Sequence, residues 1–294
     1  MTHLPTWTAG DEPATLSVPP LSVDCHHHIY DNRFPYDPET SLRPADATVA
    51  QYRILQKRLG IFRSVVVQPS SYGTDNRCLV DALKQFGDNS RGVAVIDSRT
   101  PDADIRAMHD AGVRGIRFNL SRPAGANIDQ LEALARRIEP LGWHVQVHTL
   151  GAAYIQLEKY LAALPVPVVI DHLGRVPQPA GLSHEVFAVL RRLVDKGKTW
   201  MKLSGAYHDS LDGAPSYADT GRMVTEWLTS VPERVVWGTD WPHPAAMVGE
   251  KPMPNDARLL DLLGEWAPNS ALIRKVLVDN PIALYGFSSG SQER

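Results

Sequence analysis

Cysteine is scarce in this 294-residue chain. Its two residues, Cys25 and Cys78, are too few for the disulfide framework of a small secreted domain and read as free thiols in a reducing setting. An excess of positive charge is also lacking. With 30 Lys and Arg against 33 Asp and Glu, and a formal net charge of -3, the chain has no sequence-wide basic field to hold nucleic acid or an anionic membrane. No stretch approaches the roughly 18 uninterrupted apolar residues of a membrane span, and the N-terminal MTHLPTWTAGDEP has neither the basic start nor the apolar run of a signal peptide. Cytoplasmic residence is the expectation. No G-x-G-x-x-G turn follows the first strand candidate, so a dinucleotide site has no support. Internal repeats, low-complexity tracts and linkers are absent as well.

What is present is ordinary globular material, 21% charged and 43% hydrophobic, able to bury a sizeable core. Residues 1–20 contain Pro5, Pro13, Pro19 and Pro20 and read as an extended arm outside that core, because proline sustains neither helix nor central strand. From residue 21 onward, short β-branched runs alternate with segments of helical period. The strand candidates are Leu21 to His28, Ser64 to Gln68, Gly92 to Asp97, Val113 to Asn119, Trp143 to His148, Val166 to His172, Thr199 to Ser204 and Arg234 to Thr239. Helix candidates between them include Val49 to Leu59, Asp102 to Ala111, Ile128 to Ile138, Ala152 to Leu164, His184 to Lys196 and Tyr217 to Val231. Gly60 and Gly112 supply left-handed stops after the first two. Eight such units over residues 21–294 predict an α/β fold, a single-domain (β/α)8 TIM-like barrel.

A barrel of this kind builds its active site at the C-terminal ends of its strands. Strand one ends in Asp24-Cys25-His26-His27-His28, strand five in His148, strand six in Asp171-His172 and strand eight in Asp240. Alternation points His26 and His28 to one face and Cys25 and His27 to the other, against the outer helices. One strand histidine is more often a satisfied core residue. Four of them with an aspartate would be costly to bury without a purpose. His26, His28, His148, His172 and Asp240 therefore form a candidate site for one divalent metal ion, Zn2+ or Mn2+, with metal-free catalysis also open. Metal affinity is expected to fall as pH drops through about 6, since imidazole binds metal only when neutral. His3, His109, His144 and His184 are read as surface or structural.

Arg117 ends strand four, Arg122 follows it and Arg175 lies beyond His172, so three guanidinium groups are candidates to bind a carboxylate. For Arg122 and Arg175 the competing reading is a rim salt bridge. Arg117 sits in an otherwise apolar strand, where an unpaired charge is costly. Ser70, Ser71 and Tyr72 after strand two, and His208 after strand seven, either complete recognition of a carboxylate or sulfonate or merely line their loops.

The phrases DCHHHIY (24–30), QPSSYGTDN (68–76), GIRFN (115–119), IDHLGR (170–175) and WGTDWPH (237–243), in this order, resemble the amidohydrolase superfamily. The nearest branch contains 2-pyrone-4,6-dicarboxylate lactonase, sulfomuconolactone hydrolase and sugar lactonases, and the resemblance runs from about residue 21 to Phe287. It implies hydrolysis of a small acidic lactone on a deformed barrel. Asp240 would take a proton from the attacking water, the histidines would hold a metal or polarise the carbonyl, and His172 or His243 would protonate the leaving oxygen. Two departures matter. The metal-free pyrone enzyme has tyrosine where His148 stands, which reopens metal dependence, and its first-loop tyrosine is replaced around Leu42-Arg43, which points away from the pyrone itself. Strand four offers Arg117 and Asn119 rather than a lysine, so a bridged two-metal site is not expected. Other readings on the same barrel are a metal-dependent decarboxylase of an aromatic or muconate acid, a sugar-acid lactone isomerase, and a silent sugar-acid binder. No feature bears on oligomeric state.

Overall fold

The computed structural model describes residues 6–121 and 128–290. Eight parallel strands run in sequence order: β1 (Val23–His27), β2 (Arg63–Val67), β3 (Ser90–Ala94), β4 (Val113–Asn119), β5 (His144–His148), β6 (Val168–Ile170), β7 (Thr199–Leu203) and β8 (Val235–Trp237). Each pairs with its neighbour. The seam between β8 and β1 is joined by a parallel bridge from His27 to Trp241 and by backbone N–H donation from Asp240 to His26 (2.8 Å) and from His28 to Trp241 (2.7 Å). The result is the expected (β/α)8 barrel.

Helices α1 (Val49–Leu59), α2 (Arg77–Phe86), α3 (Asp102–Asp110), α4 (Leu131–Ile138), α5 (Ala153–Ala163), α6 (Glu185–Asp195) and α7 (Ala218–Ser230) return the chain between strands. A short α8 (Pro244–Met247) follows β8, then α9 (Asp256–Trp266), α10 (Ser270–Arg274) and α11 (Asn280–Tyr285). The sequence reading did not name α2, although its buried Cys78, Leu79, Ala82 and Leu83 carry the i, i+4 signature of a packed face. Gly60 closes α1 at φ 71°, the left-handed cap expected there, and Gly112 lies at φ 104°. None of the described helices is long and apolar enough to cross a membrane.

β6 and β8 end earlier than their apolar runs suggest, because the residues that follow leave the extended region. His172 takes φ 52° and Asp240 φ 69°, turning both side chains to the barrel mouth. β1 departs from simple alternation too. Its register against β2 shifts between Asp24 and His27, as a bulge does. Cys25 consequently packs inside the barrel floor with Val65, Val67, Val93, Tyr285 and Phe287, not against the outer helices as expected. His26 also faces inward. His27 faces outward as expected, stacked on Tyr52 of α1 with ring centroids 3.6 Å apart.

Residues 6–20 form neither helix nor strand. They are docked rather than free: Trp7 donates to the Asp46 carbonyl (2.8 Å), Thr15 and Leu16 donate to Asp261 Oδ1 (2.7 and 2.8 Å), and Leu16 and Val18 pack on the main core.

The seam leaves no room at Gly238, where an added Cβ would lie 2.7 Å from both the backbone nitrogen and the Cβ of His26. Gly238→Ala should lower unfolding stability by about 1–3 kcal/mol, seen as a lower urea midpoint at unchanged slope. An unchanged midpoint would show that the two strands can part at no cost.

Candidate active site

The inward side chains of these strand ends border a cavity of about 300 Å3 at the barrel mouth, lined among others by His28, His148, His172, Asp240, Arg117 and Tyr30. A larger groove of about 1300 Å3 lies outside the barrel between α4 and α5, but its lining of Leu131, Ile155, Tyr160 and Lys196 assembles no imidazoles. The chemistry gathers in the smaller one.

Asp24, the first residue of the histidine motif, is a brace. Its Oδ1 accepts from the backbone N–H groups of His26 and Thr239 (3.0 Å each), and its Oδ2 from Tyr52 (2.8 Å) and the Thr239 hydroxyl (2.7 Å). Burial pushes its carboxyl up to about 6 while these bonds pull against it. It ties β1 to the end of β8 and so fixes His26 relative to Asp240.

Asp240 is buried, and its two oxygens have different surroundings. Oδ2 accepts from the Tyr207 hydroxyl at 2.6 Å and pairs with His208 Nε2 at 3.1 Å. Oδ1 faces three imidazole nitrogens: Nε2 of His26 at 3.5 Å, of His28 at 3.6 Å and of His172 at 3.7 Å. Burial works to raise this carboxyl, but the neighbouring His172 and the hydrogen bond from His208 outweigh it and hold it well below the usual range. It is therefore ionised at neutral pH.

One of the histidines is set as a lone-pair donor. His28 Nδ1 donates to the Val67 carbonyl (2.7 Å), which leaves Nε2 unprotonated, and His172 Nδ1 pairs with Ser204 Oγ (2.9 Å). Burial pushes His26 down to about 3 and lowers His148 and His172 as well. His26 Nε2 and His28 Nε2 are 3.3 Å apart. Separations of this order are what ligands roughly 2.0–2.2 Å from one shared ion adopt, so the donor set fits a divalent metal. His26, His172 and Asp240 form one compact group that could hold an ion; His148, Asp171 and His172 form another. His148 thus stands beside His172, ring centroids 4.9 Å apart, rather than against His26, and its Nδ1 has no partner.

Beneath this layer lies a charged group that the sequence reading missed. Lys202 on β7 is fully buried, 3.2 Å from Asp171 Oδ1, 3.1 Å from His26 Nδ1 and 2.9 Å from Gln146 Oε1. Asp171 Oδ2 accepts from Gln146 (3.0 Å) and from Arg117 Nε (3.3 Å). Burial opposes the Asp171 charge, but Lys202, His26 and Arg117 together hold its carboxyl well below the usual range. The available signal was Lys202 alternating with Trp200 and Ser204 in an otherwise apolar strand.

Of the other candidate residues, Arg117, Arg175, Ser70 and His208 line the cavity. Arg117 uses only Nε within the protein among the described residues, which leaves its Nη donors for a ligand. Arg175 is committed to Asp209 through two bonds of 2.6 and 3.0 Å, the rim salt bridge weighed against substrate binding. Arg122 lies outside the described residues. Ser71 and Tyr72 do not reach the cavity: Ser71 Oγ donates to the Leu42 carbonyl (2.7 Å), and the Tyr72 hydroxyl accepts from the Asp31 N–H (2.9 Å) while its ring packs on Tyr36. They hold the loop in place. His243, expected beside the leaving oxygen, is also fully buried behind Tyr207 and cannot touch a ligand in the cavity. Tyr30 and Tyr207 were not assigned to the site from sequence, although Tyr30 continues the two-residue spacing of His26 and His28.

A family model described as amidohydrolase matches residues 23–287. The chain belongs to the amidohydrolase family. It is 38% identical over 291 residues to a 2-pyrone-4,6-dicarboxylate hydrolase of Comamonas testosteroni, covering 95% of this chain and 94% of that one. A 4-sulfomuconolactone hydrolase of Rhizobium radiobacter is 33% identical, at 95% and 94% coverage. A D-galactarolactone isomerase of Agrobacterium fabrum is 31% identical, at 92% and 93%. Among solved structures, an apo protein from Agrobacterium tumefaciens superposes with a TM-score of 0.86 at 29% identity, covering 95% of this chain and 98% of the other. This chain is an amidohydrolase-family hydrolase.

Removing one member of the buried charged group should be severe. Lys202→Met is expected to lower stability by about 3–5 kcal/mol, because Asp171 loses its closest cation. Chemical denaturation measures this, and a loss under about 1 kcal/mol would show that Arg117 and Gln146 suffice.

Proposed function

We propose that this enzyme opens the ester of a small carboxylate-bearing or sulfonated lactone by attack of water assisted by Asp240. The observation that carries the reading is the division of labour at Asp240. One oxygen is anchored by Tyr207 and His208, and the other is turned to the imidazoles. Arg117, with unused donors, lines the same cavity. The relatives named for hydrolysis of pyrone-dicarboxylate and sulfomuconolactone support the same chemical class.

Arg117 holds the acid group of the substrate through paired donors and so presents the lactone carbonyl to the imidazole cluster. Ser70 and His208 offer further polar contacts at the wall. Asp240 Oδ1 takes a proton as water adds to the carbonyl carbon. General-base assistance of this kind supplies about 10²–10⁴-fold. His148 and His172 stand where charge develops on the carbonyl oxygen, and stabilising that charge is commonly the larger contribution. The ester C–O bond then breaks, the leaving oxygen receives a proton by way of His172, and the product carries a new carboxylate with net release of one proton. A divalent ion, Zn2+ or Mn2+, held by His26, His28, His172 and Asp240 with His148 alongside, would supply Lewis acidity at this position.

Asp240→Asn should leave the unfolding transition in place and cut kcat at least about a hundredfold on whichever lactone the wild type hydrolyses. The assay is a pH-indicator screen of pyrone carboxylates, muconolactones and aldonolactones, with and without chelator. Acid release without carbon dioxide supports hydrolysis. Carbon dioxide release would mark a decarboxylase, and turnover without net acid an isomerase; either would overturn the reading.

Burial revises the pH expectation for metal. Imidazoles held below their usual range stay neutral at pH 6, so the ion should be retained there and lost only as acid approaches the depressed values. Elemental analysis after dialysis across pH 4–8 checks this; loss between 7 and 6 would show ordinary, unshifted histidines.

A further inference from the structure

The last residue of β4 carries an amide whose orientation is fixed by its neighbours. Asn119 Oδ1 accepts from the backbone N–H of Ser121 at 3.2 Å and from the Ser121 hydroxyl at 2.8 Å. A backbone N–H can only donate, so this atom is the carbonyl oxygen and the NH2 edge points the other way, with Nδ2 3.5 Å from Ser70 Oγ. Asn119 is in register with His148 on β5 and stands two residues beyond Arg117, on the same inward face of the strand. Asn119, Ser70, Arg117 and His148 all border the cavity of about 300 Å3.

We infer that Asn119 is a specificity-determining residue that, with Ser70 and Arg117, selects the ligand by an ionised acid group. This rests on the proposed hydrolysis of an acid-bearing lactone and names the feature by which that substrate is chosen. Donors and acceptors decide the selection. A guanidinium has N–H groups and no lone pair to offer, an amide turned by its carbonyl presents N–H, and a serine hydroxyl that accepts from Asn119 keeps its own proton to give. Three such groups on one wall match a carboxylate or sulfonate, whose oxygens only accept. An amide or a protonated acid would bring hydrogens to a wall already made of them, and a group without acceptors would leave buried donors unpaired. The bonds to Ser121 have a separate, structural duty, since they close the turn that leads off the strand.

Asn119→Asp divides the two roles. An aspartate keeps an oxygen for Ser121 and so keeps the turn, but it sets a second anionic oxygen where the NH2 edge was. Calorimetric titration at pH 7 uses two probes of one shape, furan-2-carboxylate and furan-2-carboxamide. Wild type should bind the carboxylate at least about tenfold more tightly than the carboxamide. Asn119→Asp should weaken the carboxylate by about tenfold or more, bind the carboxamide no worse than wild type does, and unfold at the wild-type Tm. Equal weakening of both probes with a lowered Tm would mark a merely structural residue. An unchanged carboxylate affinity, or a wild type with no preference for the carboxylate, would overturn the inference. In turnover the substitution should raise KM for an acid-bearing lactone about tenfold or more with kcat within about threefold, and a loss confined to kcat would contradict it. If no lactone is turned over, the hydrolase reading fails while the titrations still decide the role of Asn119.

Discussion

A carboxylate taken out of water at the end of β8 must be stabilised by what surrounds it, and the mouth of the barrel is organised by that constraint on Asp240. A buried anion without partners would neutralise or unfold the site. Here the hydroxyl of Tyr207 and the ring of His208 hold one oxygen, and the other faces the Nε2 atoms of His26, His28 and His172 at 3.5–3.7 Å. Such an arrangement suits either a bound cation or a proton in transit. The same side chain serves both roles.

The second constraint is that the site be rigid where two ends of the chain meet. His26 and Asp240 come from the first and last strands, more than 200 residues apart in sequence, and nothing local sets their distance. Asp24 does so by accepting bonds from both strands at once, and Gly238 permits it by letting the backbones approach to where no side chain fits. The arm reinforces the same place, since Trp241 donates its indole N–H to the Thr6 carbonyl at 2.9 Å. A loosened seam would therefore reach the chemistry before it unfolded the barrel.

What could be read from the amino acids alone follows from which interactions are periodic. Alternating buried strands and amphipathic helices are periodic, so the barrel and the strand-end placement of His148, His172, Arg117 and Asp240 were legible. Cys25 was not, because a one-residue bulge in β1 reverses the alternation that the argument used. His243 was misplaced for a related reason: the left-handed turn at Asp240 aims the next residues behind the site rather than into it. Ser71 and Tyr72 share a short 3-10 turn with Ser70, yet Ser70 lines the cavity while they face the loop. Lys202 was passed over because a lysine in a strand is ordinarily an edge residue, and only the positions of Asp171 and Gln146 show that this one is internal.

Those interior charges also bear on what the cavity can accept. Asp171 sits between Lys202 and Arg117, and the lysine approaches one oxygen while the arginine touches the other through Nε alone. Because Lys202 already offsets the carboxylate, the Arg117 guanidinium is only partly neutralised by its protein partner. A ligand anion would complete the pairing of a guanidinium that is itself buried, where a bidentate bond is strong. Arg175 differs, since both of its bonds to Asp209 are short and direct. On the proposed reading, a ligand acid group would seat deep, against Arg117 and beside the imidazoles, rather than be held only at the rim.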